Sequence, residues 1–146
     1  MKTRKYAFYS AFGLLTATGL LWLVAHYLLR TSGEFGDVIH PLEPLSLKLH
    51  GAAMMYALFT AGAMMPGHAH LHWRNQRNRL PGVLMLAALG LLVLTGWLLY
   101  YISTEETHGL IGTIHWVIGL ALLGILAWHR TSGLASRAVR RRPDSA

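Results

Sequence analysis

Residues 83–102, VLMLAALGLLVLTGWLLYYI, form a run of 20 positions without a charged side chain. A helix of about 20 apolar residues is the length that crosses the hydrocarbon core of a bilayer, because each residue advances the helix by about 1.5 Å. Three other stretches have similar length and character, at residues 6–29, 47–65 and 110–128. The sequence therefore predicts four membrane-spanning helices.

The overall composition also indicates a membrane protein. Hydrophobic residues make up 53% of the 146 positions and charged residues only 13%, which is too apolar for a soluble domain of this size. Four spans leave little chain for anything outside the membrane, so we predict one transmembrane domain covering residues 1–146. The predicted fold class is all-α, an integral membrane four-helix up-and-down bundle.

The basic residues orient this predicted bundle. Three precede the first span, three lie between the second and third spans, and five lie in the tail at residues 130–146, which together make 11 of the 13 Lys and Arg residues. The positive-inside rule then places the N- and C-termini in the cytoplasm. Topology and anionic lipid headgroups account for the net charge of +7, so we expect no nucleic-acid partner.

The segment from Thr31 to Ser46 separates the first two spans. It contains several residues that interrupt helices, namely Gly33, Gly36, Pro41 and Pro44. We expect a non-helical, structured cap there. The turn from Ser103 to Gly109 is short, which predicts that the third and fourth helices pack side by side. No internal repeat is evident along the chain.

Nine histidines are an excess for this length, and four of them fall on two helix faces. His115 and His129 are separated by nearly four helical turns, which puts them on one face of an ideal helix about 21 Å apart. His50 and His68 are separated by five full turns if the helix continues unbroken through Pro66. The second and fourth spans run in the same direction, so their histidine faces can oppose each other across the bundle.

Two histidines that face each other at one depth form the axial pair of a b-type haem. The pattern provides one such pair near each side of the membrane. Glycines beside His115 leave space for a flat ring. The predicted cofactor-binding residues are His50, His115, His68, His129, Gly112 and Gly119. Because the chain has no cysteine for covalent attachment, the predicted cofactors are two non-covalent haem b groups.

Two further side chains compete for these ligand positions. His26 is expected at the depth of His50, where it is either an alternative outer ligand or a packing or quinone-pocket residue. Met64 follows His50 at the same interval as His129 follows His115, so it matches the depth of His129 and is an alternative inner ligand. The interval from His50 to His68 is longer than that from His115 to His129, so the two predicted inner ligands differ in depth by about 6 Å. A helix tilt or a kink must compensate for this difference.

At these positions the chain resembles the four-helix transmembrane b-type cytochromes, including the cytochrome b561-like group and the haem-bearing bundle of cytochrome bc-type complexes. It is also similar to an uncharacterised bacterial family of four-span membrane proteins with stretches like HPLEP at 40–44, LHG at 49–51, PGH at 66–68 and HW at 115–116. The resemblance covers nearly the whole chain. It implies a dihaem cytochrome that carries electrons across the membrane, to or from quinone or a periplasmic redox partner.

Two other hypotheses stay open. His68, His70 and His72, together with the methionines of the second span, would suit a copper- or zinc-binding or transport protein. A haem-free accessory subunit of a membrane complex is the other alternative. We find no hydrolytic or phosphate-binding pattern, so quinone oxidoreductase activity is the only enzymatic activity that we consider.

Acidic residues dominate the predicted outer side. A basic periplasmic cytochrome would therefore be attracted to this side of the protein by its charge. The acids concerned are Glu34, Asp37, Glu43, Glu105 and Glu106.

Overall fold

A computed structural model describes the backbone of residues 2–34, 36–66 and 79–140, and the side chains of these residues except at position 2 and positions 134–140. In this part of the chain the elements are α1 (Lys2–Leu28), β1 (Thr31–Gly33), β2 (Gly36–Val38), α2 (Leu42–Met64), α3 (Arg79–Tyr101) and α4 (Glu105–Arg140). The fold is all-α apart from one short hairpin, in agreement with the prediction from the sequence.

Three helices of the described chain are long and apolar enough to cross a membrane, over Thr3–Leu28, Arg79–Tyr101 and Glu105–Gly133. They correspond to the first, third and fourth predicted spans. Helix α2 has 23 residues, a length of about 35 Å. It is less apolar because Glu43, Lys48 and His50 lie in its first turns. The fourth span therefore stays a prediction.

The chain forms two compact units, Met1–His68 and Ala69–Ala146. In the first unit α1 packs against α2, and in the second α3 packs against α4. Each unit is therefore a helical hairpin. The prediction that the third and fourth helices pack side by side is confirmed.

Alanines are the most frequent buried apolar residues of both hairpins. Ala11, Ala25, Ala53 and Ala57 are buried in the first unit together with Phe8 and Phe12, and Ala88 is buried in the second together with Leu122. The larger apolar side chains lie mostly on the outside: among those described, the most exposed are Phe59, 76% exposed, and Tyr100, 85% exposed. This distribution suits helices that approach each other closely through small residues while lipid covers their outer faces.

Strands β1 and β2 form the cap that the sequence predicts between the first two helices. They pair antiparallel, with Thr31 opposite Val38 and Gly33 opposite Gly36. Gly36 has a φ of 113°, a conformation that side chains with a Cβ rarely adopt. A Cβ on Gly33 would come within 2.8 Å of the Val38 Cγ2 atom. The tight turn between β1 and β2 therefore requires glycine at both positions.

Helix α2 begins earlier than the sequence predicts. Its first residue is Leu42, inside the segment expected to be non-helical, and Pro44 lies in its first turn. A proline is tolerated there because the first turn of a helix has no internal partner for its N–H groups. The expectation that Pro44 excludes a helix is therefore wrong.

Helix α4 is longer than a membrane span. Its 36 residues extend over about 54 Å, and it includes the part of the predicted basic tail from Arg130 to Arg140. At its other end, Thr104 N–H donates to the Thr107 Oγ1 atom at 2.9 Å, and Thr107 N–H lies 3.4 Å from Thr104 Oγ1. This reciprocal capping fixes the helix start several residues before the predicted span.

Candidate functional site

His50 lies on α2 and is held by the side chain of a threonine on α1. Its Nδ1 atom is 3.0 Å from Thr18 Oγ1, and its Cε1 atom is 3.3 Å from the position that a Cβ on Gly19 would take. The Thr18 hydroxyl is also 2.8 Å from the Leu14 carbonyl oxygen and 3.1 Å from that of Leu15. Thr18 thus connects the helix backbone to the imidazole.

His115 has the same surroundings in the second hairpin. Its Nδ1 atom is 2.8 Å from Thr95 Oγ1, and its Cε1 atom is 3.4 Å from the position of a Cβ on Gly96. The Thr95 hydroxyl is 2.7 Å from the Leu91 carbonyl oxygen and 3.3 Å from that of Leu92. Each hairpin thus carries one histidine, one threonine and one glycine in the same arrangement.

These contacts hold both imidazoles at Nδ1. The threonine hydroxyl has a single proton, and both a backbone carbonyl and the imidazole nitrogen lie within its reach. Where the hydroxyl donates to the carbonyl, the imidazole donates from Nδ1–H to the threonine oxygen. With either tautomer the contact fixes the orientation of the ring.

The similarity of the two hairpins extends to the sequences of α1 and α3. Residues 11–21, AFGLLTATGLL, match residues 88–98, ALGLLVLTGWL, at seven of 11 positions, including the Thr–Gly pairs. Ala11 and Ala88, also matched, are both buried. The expectation that the chain contains no repeat is wrong. The repeat is hard to detect because Thr18 and His50 are 32 residues apart, whereas Thr95 and His115 are 20 residues apart.

A second glycine of α3 lies beside the second histidine of α4. Gly82 precedes Gly96 by the same interval that separates His115 from His129. A Cβ on Gly82 would be 3.8 Å from the His129 Cε1 atom. Both histidines of α4 therefore lie on its side that packs against α3, and each has a glycine opposite its ring.

The two glycines predicted to line a haem, Gly112 and Gly119, also face α3. A Cβ on Gly112 would be 4.0 Å from Leu99 Cδ2, and a Cβ on Gly119 would be 3.9 Å from Leu92 Cδ2. Their small size admits leucine side chains within the hairpin. A role in lining a haem stays a prediction.

The C-terminal end of α2 departs from a regular α-helix. The α-helix ends at Met64, where the Met65 N–H still contacts the carbonyl oxygens of Ala61 and Gly62, and Met65 and Pro66 form a π-helical turn. His68 lies outside the described residues, so its role as a ligand stays a prediction.

A buried carboxylate joins the C-terminal end of α1 to the N-terminal end of α2. Glu43 accepts hydrogen bonds from Arg30, with Arg30 Nε at 2.9 Å from Oε2, and His26 Nδ1 is 2.8 Å from Oε1. Hydrogen bonding from the Arg30 guanidinium lowers the pKa of Glu43, against the opposing effect of burial, and the His26 contact lowers it further. The same pair raises the pKa of Arg30. Arg30 and Glu43 thus form an ion pair at the connection between α1 and α2, and His26 contacts the same carboxylate.

The position of His26 differs from the prediction. Gly19 is the residue of α1 that lies against His50, and His26 lies seven residues further along α1, about 10 Å towards its C-terminal end. There the His26 ring stacks on Trp22, with centroids 4.5 Å apart. The expectation that His26 lies at the depth of His50 is wrong. The role of His26 as an alternative ligand stays a prediction.

Replacing Glu43 by glutamine is expected to destabilise the first hairpin by roughly 1–2 kcal/mol, because a buried partner of Arg30 loses its charge while Arg30 itself is partly exposed. The wild type should have this contribution at neutral pH and lose it as the pH falls through the lowered pKa of Glu43, since protonation removes the same charge. Thermal unfolding in detergent over a series of pH values measures both effects.

Glu34→Gln is the matched control for this prediction, because Glu34 lies exposed in the nearby turn. It should leave the thermal stability and its pH dependence unchanged. Equal stability of Glu43→Gln and wild type at neutral pH would contradict the structural role of the ion pair.

Burial of Glu43 also changes the predicted acidic outer surface. Glu43 is only 6% exposed and its charge is compensated by Arg30. The exposed acids that remain in this group are Glu34, Asp37, Glu105 and Glu106. A basic partner, if it docks here, meets a smaller negative charge than the sequence predicts.

The copper or zinc hypothesis depends on side chains outside the described residues, since His68, His70 and His72 all fall there. Within residues 2–34, 36–66 and 79–140 no three His, Asp or Glu side chains come together. Two other histidines have local contacts: His40 Nδ1 accepts from the Leu42 N–H at 3.2 Å, and His108 Nδ1 is 2.9 Å from Ser103 Oγ.

Comparison with protein-family models, with curated proteins and with solved structures gives no match to this chain. The resemblance to b-type cytochromes therefore depends on the residues themselves.

Several site residues were not predicted from the sequence. Thr18 and Thr95 contact histidines far away in the chain, so no local pattern indicates them. The signal that was available is the Thr–Gly pair itself, which occurs at the same place in two apolar helices.

Proposed function

We propose that this protein is a membrane dihaem b-type cytochrome that carries electrons across the bacterial inner membrane. The observation that supports this most strongly is the duplicated arrangement in which a threonine hydroxyl holds Nδ1 of His50 and of His115. A histidine held in this way is prepared to coordinate iron through Nε2. Helix packing alone would explain a single histidine held by a threonine. The same arrangement in both hairpins favours the interpretation that both histidines bind the same kind of group.

The donor set fits haem b. Imidazole is the usual axial ligand of b-type haem, and a chain without cysteine holds such a group non-covalently. The proposed axial ligands are His50, His115 and His129, together with His68 or, as the alternative, Met64.

When bound, haem supplies reversible one-electron chemistry between ferric and ferrous iron. The residues of this chain orient the ligands and exclude water. Thr18 and Thr95 fix the imidazole rings, and the glycines at positions 19 and 96 allow those rings to approach the neighbouring helix. The apolar helices around them keep the site dry.

The proposed topology has four spans with both termini in the cytoplasm. It includes residues 47–65 as the fourth span, because their length suffices and His50 is hydrogen-bonded to Thr18, while Glu43 pairs with Arg30 just outside the span. The direction follows from the basic residues, which favour the cytoplasmic side. Quinone in the bilayer and a basic periplasmic cytochrome are the proposed electron partners.

The visible absorption spectrum of the purified protein tests the proposal. Protein isolated in detergent from haem-replete cells should be red, and dithionite should produce the sharp α, β and Soret bands of a six-coordinate b haem. A colourless protein from the same cells would contradict the proposal. Bound copper or zinc in that colourless protein would favour the metal-binding hypothesis instead.

A further inference from the structure

His26 is held at one of its two ring nitrogens by a carboxylate of the same hairpin. Its Nδ1 atom is 2.8 Å from Glu43 Oε1, and the Arg30 guanidinium donates to both oxygens of this carboxylate. Because Arg30 lowers the pKa of Glu43, the carboxylate is ionised at neutral pH and can only accept. The proton of the contact is therefore on His26 Nδ1. A carboxylate in this position orients the imidazole and stabilises the positive charge that the ring acquires when Nε2 is protonated.

The other ring nitrogen of His26 is not used within the hairpin. In the part of the chain that the structure describes, no hydrogen bond involves Nε2, and the side chain is 26% exposed. Two aromatic side chains hold the ring in place: Trp22 stacks on it with centroids 4.5 Å apart, and Tyr27 meets it edge-on at 4.7 Å. A fixed imidazole whose second nitrogen can accept a proton is the arrangement of a general base.

The position of His26 along α1 suits a ligand that is dissolved in the membrane. The apolar helix runs from Thr3 to Leu28, so His26 lies in its last turn. An ionisable side chain near the end of a spanning helix often marks a path for a substrate or a proton. Gly19, which lies against His50, is about 10 Å away along the same helix. A reducing ligand at His26 would therefore be close to a proposed iron ligand of the same hairpin.

We propose that His26 is the proton acceptor for a lipid-soluble hydroquinone, one hydroxyl of which donates to Nε2. This inference rests on the proposed function, and it gives His26 a role other than that of an iron ligand. Oxidation of one hydroquinone to the quinone breaks two O–H bonds and releases two electrons and two protons. The electrons reduce two ferric haem irons, one electron each. The first proton passes to Nε2 and from there to water, and the second proton follows the same route.

Substitution of His26 tests this role through the rate at which hydroquinone reduces the haems. Asparagine has an N–H group close to the position of Nδ1, so His26→Asn should keep the contact with Glu43 while it removes the base. Reduction by saturating decylubiquinol, a short-chain hydroquinone, should slow by about 100-fold, since a general base contributes a factor of this order. His26→Gln should slow it likewise. In both variants the haem content, the midpoint potentials and reduction by dithionite should remain those of the wild type.

His108→Asn is the matched control, because the His108 Nδ1 atom contacts Ser103 in the turn before α4. It should leave the rate with decylubiquinol unchanged. Binding is measured separately on the wild type, by photochemical cross-linking of an azido-substituted quinone with decylubiquinol as competitor. The competed label should lie on the segment 22–30, and this result does not depend on the folding of any variant.

Three results would overturn the inference. Wild-type rates with decylubiquinol in both His26 variants, or a competed label confined to other segments, would overturn the inference and leave the dihaem proposal intact. Loss of one haem in His26→Asn would show that His26 is an iron ligand instead. A wild type without haem would overturn the proposed function, and this inference with it.

Discussion

Replacing His115 by alanine is expected to lower the haem content of the purified protein by about half, because alanine offers no ligand to the iron and only the outer haem depends on this position. His50→Ala should give the same loss. Pyridine haemochrome measurements on protein purified in parallel provide the comparison.

His40→Ala and His108→Ala are the controls, because both histidines have local hydrogen bonds near the outer ends of helices. Each should retain the wild-type haem content. Full haem content in both His115→Ala and His50→Ala would contradict the assignment of these histidines as ligands.

Replacing Thr95 by valine is expected to weaken haem binding by about 10- to 100-fold, because the imidazole of His115 loses the acceptor that fixes its orientation. Valine has nearly the same shape as threonine, so packing is largely kept. Thr18→Val should do the same through His50. Transfer of haem from the protein to a scavenger such as apomyoglobin measures the change as a faster rate of loss.

Serine provides the test of mechanism, since Thr95→Ser keeps the hydroxyl and should retain most of the affinity. Thr16→Val and Thr113→Val are matched controls, as both threonines donate only to a carbonyl of their own helix among the hydrogen bonds described. They should leave the rate of haem loss unchanged. If Thr95→Val and Thr18→Val also leave the rate of haem loss unchanged, the two threonines have only a packing role. Their contacts with the histidines would then no longer support the proposed function.

The helices were predictable because apolar length is a local property of the sequence. Residues 83–102 show a helix of membrane-crossing length without reference to the rest of the chain. The ends of the helices were less predictable. Pro44 was taken as a helix breaker although it suits a first turn, and α4 continues to Arg140 because its basic residues are compatible with a helix.

The histidine faces were predictable in part. That His115 and His129 share a face follows from helix geometry, and α4 is indeed a continuous helix across both. The spacing of His50 and His68 assumed a regular helix beyond Met64, where the chain instead makes a π-helical turn. Short apolar sequences do not reveal such turns.

The partners of the histidines were not predictable from local patterns. Thr18 and Glu43 reach their partners across a helical hairpin, and only the packing of α1 on α2 determines which side chains meet. Glu43 in particular was expected to be one of several outer acids, whereas its burial against Arg30 makes it part of the hairpin interior. Contacts of this kind become visible only in three dimensions.

The ratio of haem to protein in the purified wild type is the most direct test of the central claim. Haem is quantified by pyridine haemochrome and protein by amino-acid analysis, so that neither measurement depends on the other. Our account predicts about two haem b per chain, one for each end of the paired helices. A ratio near zero in protein from haem-replete cells would contradict it.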